Sequence, residues 1–324
     1  MTTTSRSPIR SLHHVTATVD AAQDDLDFCV GALGLRLLKK TVNFDNHHVY
    51  HFYYGDERGA PGTIWTTFPY KGHGVPIGRK GAGQITITSF SVPEGSLDFW
   101  KARLRGLGMT VTDGAARFGE ESVVCVDPSG LRIELVAGNR DTRRPWTADG
   151  IGVDAAIRGL HSVTMTLLSP SKTVAFMTSV LGFEVVNEME GRIRVAVNGD
   201  EPGKAMEILH EPDAHLAVNG LGTVHHVAMA VPGADEQLRL REELVRLGFR
   251  VTPVLDRQYF QSIYFREPGG VLFEIATMHP GFMVDEPLEH LGESLKLPPW
   301  EEPNRELIES GLAPVTVPAS GQTR

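Results

Sequence analysis

One pattern recurs four times along the chain, and it limits the fold more than any other feature of the sequence. An alternating segment is followed by a helix-like stretch, and then by further alternating segments. LHHVTATV (Leu12 to Val19) leads into AAQDDLDFCVGALGLRLLKK, where Leu26, Val30 and Leu33 recur at helical spacing before Gly34. QITITSFSV (Gln84 to Val92) leads into SLDFWKARLRGLG and closes with VVCVDPSGLRIELVA, whose last part reads as a hairpin. LHSVTMTL (Leu160 to Leu167) passes through TVAFMTSVLGFEVV to AMEILHE. VHHVAMAV (Val224 to Val231) passes through QLRLREELVRLGFRV to SIYFREPGGVLFEIAT. Each copy reads as a βαβββ unit. Alternating strands carry one apolar face for a helix and another for a partner, so four units make two pairs.

The expected organisation is α+β, with βαβββ modules over 1–75, 76–140, 158–215 and 216–278. A polar, Pro- and Gly-containing linker covers 141–157. The tail, 279–324, holds Pro280, Pro287, Pro298, Pro299 and Pro303, so it should be largely extended, with one short helix at Asn304 to Leu312. A length of 324 residues with 41% hydrophobic and 22% charged residues fits a folded globular protein with more than one core. The net charge of -9, without a run of Lys and Arg, argues against nucleic acid as a partner. Met1 to Arg10 lacks an apolar core, and no stretch approaches the ~18 apolar residues of a membrane span, so the expectation is a cytoplasmic protein without a membrane partner. Cys29 and Cys125 sit in apolar periodic segments and read as buried thiols. For assembly, size supplies only a base rate, which favours a homo-oligomer.

Comparing the copies locates the chemistry. Their first strands carry His13-His14, Gln84-Ile85, His161-Ser162 and His225-His226; their last strands read WTTF (Trp65 to Phe68), RIEL, MEIL and FEIA. Successive strand residues face opposite ways, so one histidine of each pair points into a cup, and the second of each is chosen. Glu274 interrupts the apolar run VLFEIA, where an ionised carboxylate needs a partner or a metal. If copies one and four face each other, His14, His226 and Glu274 converge, while copy one offers only Thr66 and Thr67 where a fourth ligand would stand. Two imidazoles and one carboxylate with open positions form the facial triad that suits non-haem Fe(II), with Mn(II) fitting the same ligands. Glu134 and Glu207 read as ordinary strand carboxylates, because the ligand positions of their copies hold Ile85 and Ser162. The remaining histidines, His51 among them, receive no metal role.

These residues resemble the vicinal oxygen chelate superfamily, which includes glyoxalase I and the type I extradiol dioxygenases. The run YFREPGGVLFE (Tyr264 to Glu274) is similar to the extradiol ring-cleavage pattern, and copy two keeps DPSGLRIE with Val124 in place of the tyrosine. From LHHVT through KKTVNFD and YHFYYGDERGAPGT to LPPWEEPNRELIESGLAP, the chain is most similar to hydroquinone-type ring-cleaving dioxygenases. That resemblance implies pairing of module 1 with 4 and of module 2 with 3 into half-barrels. It also implies iron at His14, His226 and Glu274, with catalytic roles for His13, Thr16, His225, Arg257 and Tyr264. The substrate would be a small dihydroxylated aromatic, cleaved with O₂. Tyr264 is the candidate acid, and Arg257 a holder of anionic oxygen. Simple alternation turns His13 and His225 away from the metal, so a role for them requires strand twist or a bulge. Two other readings compete: a glyoxalase-type isomerase or lyase, disfavoured by Thr66 and Thr67, and a non-catalytic binder of quinones or small aromatics.

Overall fold

Strand, helix and three strands succeed one another four times in the computed structural model, which describes residues 7–318. The first succession is β1 (Ser11–Val19), α1 (Ala22–Leu26, continuing as a π-helical segment Asp27–Ala32), β2 (Arg36–Asn43), β3 (Asn46–Gly55) and β4 (Ile64–Pro69). The second is β5 (Gln84–Pro93), α2 (Leu97–Gly106), β6 (Val111–Asp113), β7 (Glu121–Val126) and β8 (Arg132–Gly138). The third is β9 (Gly159–Leu167), α3 (Ser171–Ser179), β10 (Glu184–Met189), β11 (Arg192–Ala196) and β12 (Ala205–His210). The fourth is β13 (Thr223–Val231), α4 (Ala234–Arg246), β14 (Leu255–Asp256), β15 (Gln261–Arg266) and β16 (Leu272–Thr277).

The strands form two eight-stranded sheets, ordered β14-β15-β16-β13-β1-β4-β3-β2 and β10-β11-β12-β9-β5-β8-β7-β6. Copies one and four therefore share one half-barrel, and copies two and three the other. Each is sewn at its middle by an antiparallel pair of first strands, β1 with β13 and β5 with β9. One hydrophobic core runs through both sheets, from Leu26 and Phe28 under α1 to Trp100 and Leu104 of α2 and Leu240 and Leu244 of α4. On α4 the buried Gln237, Leu240 and Leu244 fall on one face, as helical spacing demands. Two glycines let the half-barrels lock together. Gly222, at φ +77°, enters β13 so close to the turn of copy two that a Cβ there would lie 2.1 Å from the Ser129 carbonyl oxygen. Gly83, at φ +85°, enters β5 against Gly269 in the matching turn of copy four. Arg143 of the linker ties the halves again, donating to the carbonyls of Gly62 and Leu160 while paired to Asp141.

The tail forms the expected helix, α5 (Arg305–Gly311), and wraps the back of the first half-barrel. Fully buried Lys39 of β2 pairs with Asp285 at 2.6 Å and Glu286 at 2.5 Å, and Phe282 packs on Tyr53 and Tyr259. Both cysteines are buried and free. No helix among the described residues is long and apolar enough to cross a membrane.

The two cups meet the same electrostatic problem differently. In the second, Arg117 lies in the irregular segment between β6 and β7 and reaches the cup centre, where it is 4% exposed. Its guanidinium grips Glu134 through two bonds of 2.7 and 2.6 Å, and its Nε donates to Glu207 at 2.8 Å. Glu207 also accepts from Arg192 and Arg194. Burial works against the Glu207 anion, but Arg117 and Arg194 outweigh it and hold its pKa below the usual carboxylate range. One sequence-level assignment needs correction. The parallel registers Thr16↔Thr66, Ser89↔Glu134, Thr164↔Glu207 and Ala228↔Glu274 are equivalent, so the residue of copy two matching His14 is Ile87 rather than Ile85. The cause is that Thr86-Ile87, and not Gln84-Ile85 at the start of the strand, occupies the frame of His13-His14.

Arg117→Met should leave Glu134 buried with only Ser89 and Ser122 as donors, at a cost of about 3–5 kcal/mol in chemical denaturation. Adding Glu134→Gln should recover part of that loss; no recovery would show that the guanidinium does not act by neutralising this carboxylate.

Candidate metal centre

The double histidines sit where the ladder between β1 and β13 breaks register. Leu12 opposes Met229 and His14 opposes Ala228, which leaves His13 without a counterpart; Thr16 opposes His226 and Ala17 opposes Val224, which leaves His225 without one. Each pair thus contains a β-bulge, and a bulge re-aims the side chains around it. The two rings of each pair meet edge to edge instead of pointing to opposite faces. His13 Nδ1 lies 2.8 Å from His14 Nδ1, and His225 Nδ1 lies 2.7 Å from His226 Nδ1. This meets the requirement for strand irregularity that alternation alone imposed.

His14, His226 and Glu274 converge, their donor atoms all within 4.8 Å of one another. They form the sole group of three or more such residues found among the described residues. His226 Nε2 lies 2.8 Å from Glu274 Oε2, His14 Nε2 lies 3.2 Å from the same oxygen, and the two Nε2 atoms are 3.2 Å apart. All three residues are buried, Glu274 completely. Ser262 donates to Glu274 Oε1, whereas Oε2 is buried without an aligned hydrogen bond. An anionic oxygen aimed with two imidazole nitrogens at one point, and satisfied by none of them, fits a divalent cation. The chemistry of the donors agrees. Burial, opposed by Glu274, keeps the His226 pKa below the usual imidazole value, so the ring is neutral as a ligand must be. Burial also opposes the Glu274 anion, but the two imidazoles hold its pKa well below the usual carboxylate range. His13 and His225 are each lowered to about 3, by burial first and then by the neighbouring histidine, and so remain neutral partners for the ligand rings. A partner on Nδ1 fixes which nitrogen of a ligand ring is free.

A cavity of about 350 Å³ opens beside the triad. That volume suits one small aromatic molecule. Thr16, His225, Arg257 and Tyr264 line it, as do His14 and His226. His13 does not; it stands behind His14 and against Phe260. Tyr264 lies directly across the β15–β16 ladder from Glu274. Burial, with Glu274 adding to it, raises the Tyr264 pKa, so the phenol keeps its proton. Arg257 donates from Nε to the Tyr264 hydroxyl at 3.3 Å and pairs with Asp45 at 3.0 Å, joining the β2–β3 turn to the strands of copy four.

Several wall residues had no signal of their own in the sequence. Phe260 packs on His14 with ring centroids 5.2 Å apart, and Asn43 donates to the Tyr70 hydroxyl at 2.9 Å. His51, which the sequence gives no metal role, also lines the cavity, because β3 carries it over β4. The alternation of His51 and Tyr53 on one face of β3 was the available clue. Among the described residues the tail contributes no lining residue; Trp300 packs on Phe44, which does line the cavity, so the tail supports this wall from outside. At the fourth register position stands Thr66, not Thr67, whose hydroxyl turns the other way to Asp25.

Residues 11–135 and 159–275 match the model of the Glyoxalase/Bleomycin resistance protein/Dioxygenase superfamily. The chain is 42% identical over 306 residues to "Putative ring-cleaving dioxygenase MhqO" of Bacillus subtilis, covering 94% of this chain and 96% of the relative. It is 36% identical over 302 residues to the chlorohydroquinone/hydroquinone 1,2-dioxygenase of Sphingobium indicum, covering 91% and 93%. The crystal structure of a "putative dioxygenase from Bacillus subtilis subsp. subtilis str. 168" superposes with a TM-score of 0.92 at 40% identity, covering 97% of this chain and 99% of that one. Glyoxalase I from Zea mays shares the fold, with a TM-score of 0.60 at 15% identity over 82% of this chain and 92% of that one.

Equilibrium dialysis followed by elemental analysis should find one divalent ion per chain. His14→Ala and Glu274→Gln should each weaken binding by at least about 100-fold, and His13→Ala by about 10- to 100-fold through its effect on His14. Full occupancy in Glu274→Gln would remove the triad as the binding site.

Proposed function

The chain belongs to the glyoxalase/bleomycin resistance protein/dioxygenase superfamily, and on that basis we propose that it is an Fe(II)-dependent dioxygenase that opens a dihydroxylated aromatic ring, preferably a hydroquinone. The observation that carries this reading is the donor set. Three candidate ligands converge where four would close the site, since a threonine stands at the register position that Glu274 occupies in copy four. Relatives named for ring cleavage and for hydroquinone dioxygenation support the same substrate class.

Fe(II) held by His14, His226 and Glu274 would lower the pKa of a ring hydroxyl and leave positions for O₂, so that both atoms of O₂ can be inserted; Mn(II) suits the same ligands. The protein's own groups do the rest. Phe44, Phe68 and Phe260 flank the cavity and hold an aromatic ring away from bulk water. Arg257, fixed by Asp45, presents a permanent cation to an ionised ring oxygen or a nascent carboxylate. Tyr264 keeps its proton at neutral pH and can deliver it to an oxygen gaining negative charge. His225 holds His226 through Nδ1 while bordering the cavity, which places a neutral imidazole beside the reacting ring.

The test is anaerobic loading with Fe(II), addition of methylhydroquinone, and admission of air at an oxygen electrode. Uptake of one O₂ per substrate is expected. Tyr264→Phe should lower kcat by about 10²- to 10⁴-fold with KM little changed. Binding of hydroquinones and catechols without oxygen uptake would replace the enzyme by a binding protein, and oxygen-independent turnover of a hemithioacetal would replace it by an isomerase.

A further inference from the structure

Three side chains of copy one form a hydrogen-bonded line into the cavity. Thr66 Oγ1 donates to Thr16 Oγ1 at 2.9 Å, and His51 Nε2 lies 2.9 Å from Thr66 Oγ1. A threonine hydroxyl has one proton and two acceptor sites. Since Thr66 directs its proton to Thr16, its oxygen must accept from His51, which makes His51 the Nε2–H tautomer. Thr16 then retains its own proton, with no acceptor for it among the described residues, and Thr16 is a wall of the cavity. The line ends in an uncommitted donor that only a cavity occupant can satisfy.

Its placement sharpens the point. Thr66 has, relative to β1, the register that Glu274 has relative to β13. Where copy four supplies an anionic acceptor for a cation, copy one supplies a neutral donor. A carboxylate there would repel an anionic oxygen, whereas a polarised hydroxyl attracts one. The His51 ring is clamped by Tyr53 and Phe68, at centroid distances of 4.0 and 4.3 Å. Tyr53, His14, His226, Arg257 and Glu274 are the titratable groups around it. Burial, then His14 and His226, push its pKa well below the usual imidazole value, so it stays neutral with a single N–H to give.

We propose that His51 and Thr66 are positioning residues that orient the Thr16 hydroxyl as a donor to an ionised oxygen of the bound aromatic. The identity of the ligand rests on the ring-cleaving reading; the direction of the donor line rests on the side chains alone. The line stabilises the ring in its deprotonated form before any oxygen chemistry begins.

The test uses the full chain loaded with redox-inert Zn(II) and titrated with pH under argon in the presence of nitrohydroquinone, whose phenolate is coloured. The wild-type protein should ionise the bound probe at a lower pH than free probe. Thr66→Val and His51→Phe should raise that midpoint by about one pH unit, tenfold in ionisation, with zinc content unchanged. Thr66→Ser, which keeps the hydroxyl, should restore the wild-type midpoint, and Thr66→Ala provides a smaller truncation should valine fail to fold. Ionisation at the wild-type pH in zinc-replete Thr66→Val or Thr66→Ala would overturn the proposal, as would absence of probe binding by the wild-type protein. Shifted midpoints in a protein that consumes no O₂ with Fe(II) would uphold the donor line and remove the dioxygenase reading; the reverse result would do the opposite.

Discussion

A carboxylate at the middle of a sheet must meet a positive charge, and both half-barrels are arranged around that requirement. Leaving such a group ionised in a dry interior costs several kcal/mol, and no neutral hydrogen-bond donor fully offsets it. The second half-barrel answers with Arg117, whose fork spans Glu134 and Glu207 while Arg192 and Arg194 complete the balance. All the charge there is covalently attached to the chain. The first half-barrel has Glu274 at the equivalent register; among the described residues no guanidinium pairs with it, and the Nε2 atoms of two imidazoles lie beside its Oε2. One architecture thus yields a closed, self-neutralised centre on one side and, on the other, a centre whose charge calls for an ion from solution.

The bulges explain how a strand pair can hold such a centre. In a regular ladder His13 and His225 would point to the far face and His14 and His226 would lack anything on their second nitrogens. One skipped residue in each strand brings both rings of a pair together, so each histidine of the triad carries its own chain neighbour as a partner on Nδ1. The ring that joins the triad and its Nδ1 partner are consecutive in sequence. A compact motif of two residues does what usually requires a distant carboxylate or carbonyl.

Much of this was legible before any coordinates. The period-two alternation and the fourfold recurrence specify the strands and helices, because burial of one strand face is a local constraint written into the residues. The triad was legible for a similar reason: His-His recurs at one structural position in two copies, and Glu274 breaks an apolar run. What was not legible depends on relations between segments. His51 acquires its place through the pairing of β3 with β4, and YHFYYGD offers only its alternation with Tyr53 as a clue. Arg117 lies in an irregular segment without periodicity, so its reach to two distant glutamates has no sequence signature. Ile85 falls out of frame because β5 begins two residues ahead of Thr86-Ile87, a register that only the pairing with the last strand reveals.

The absence of a fourth acidic ligand has consequences beyond the number of open positions on an ion. With Glu at position 66 the cup would carry two carboxylates, and a divalent ion held by both would be left neutral overall. With Thr66 the bound site would retain a net positive charge, counting one carboxylate against a divalent ion and taking the imidazoles as neutral. Arg257 adds a further cation to the same cavity, offset only by Asp45, which is largely exposed to solvent. The field inside therefore favours an anionic ligand over its neutral acid, and Coulomb interactions at such short range in a buried site are much stronger than in water. A phenol entering the metal-loaded cavity would meet three influences of one sign: the ion, the guanidinium and the donor line that ends at Thr16. Each would favour loss of the ring proton, and the electron-rich phenolate is the form that the proposed ring opening requires.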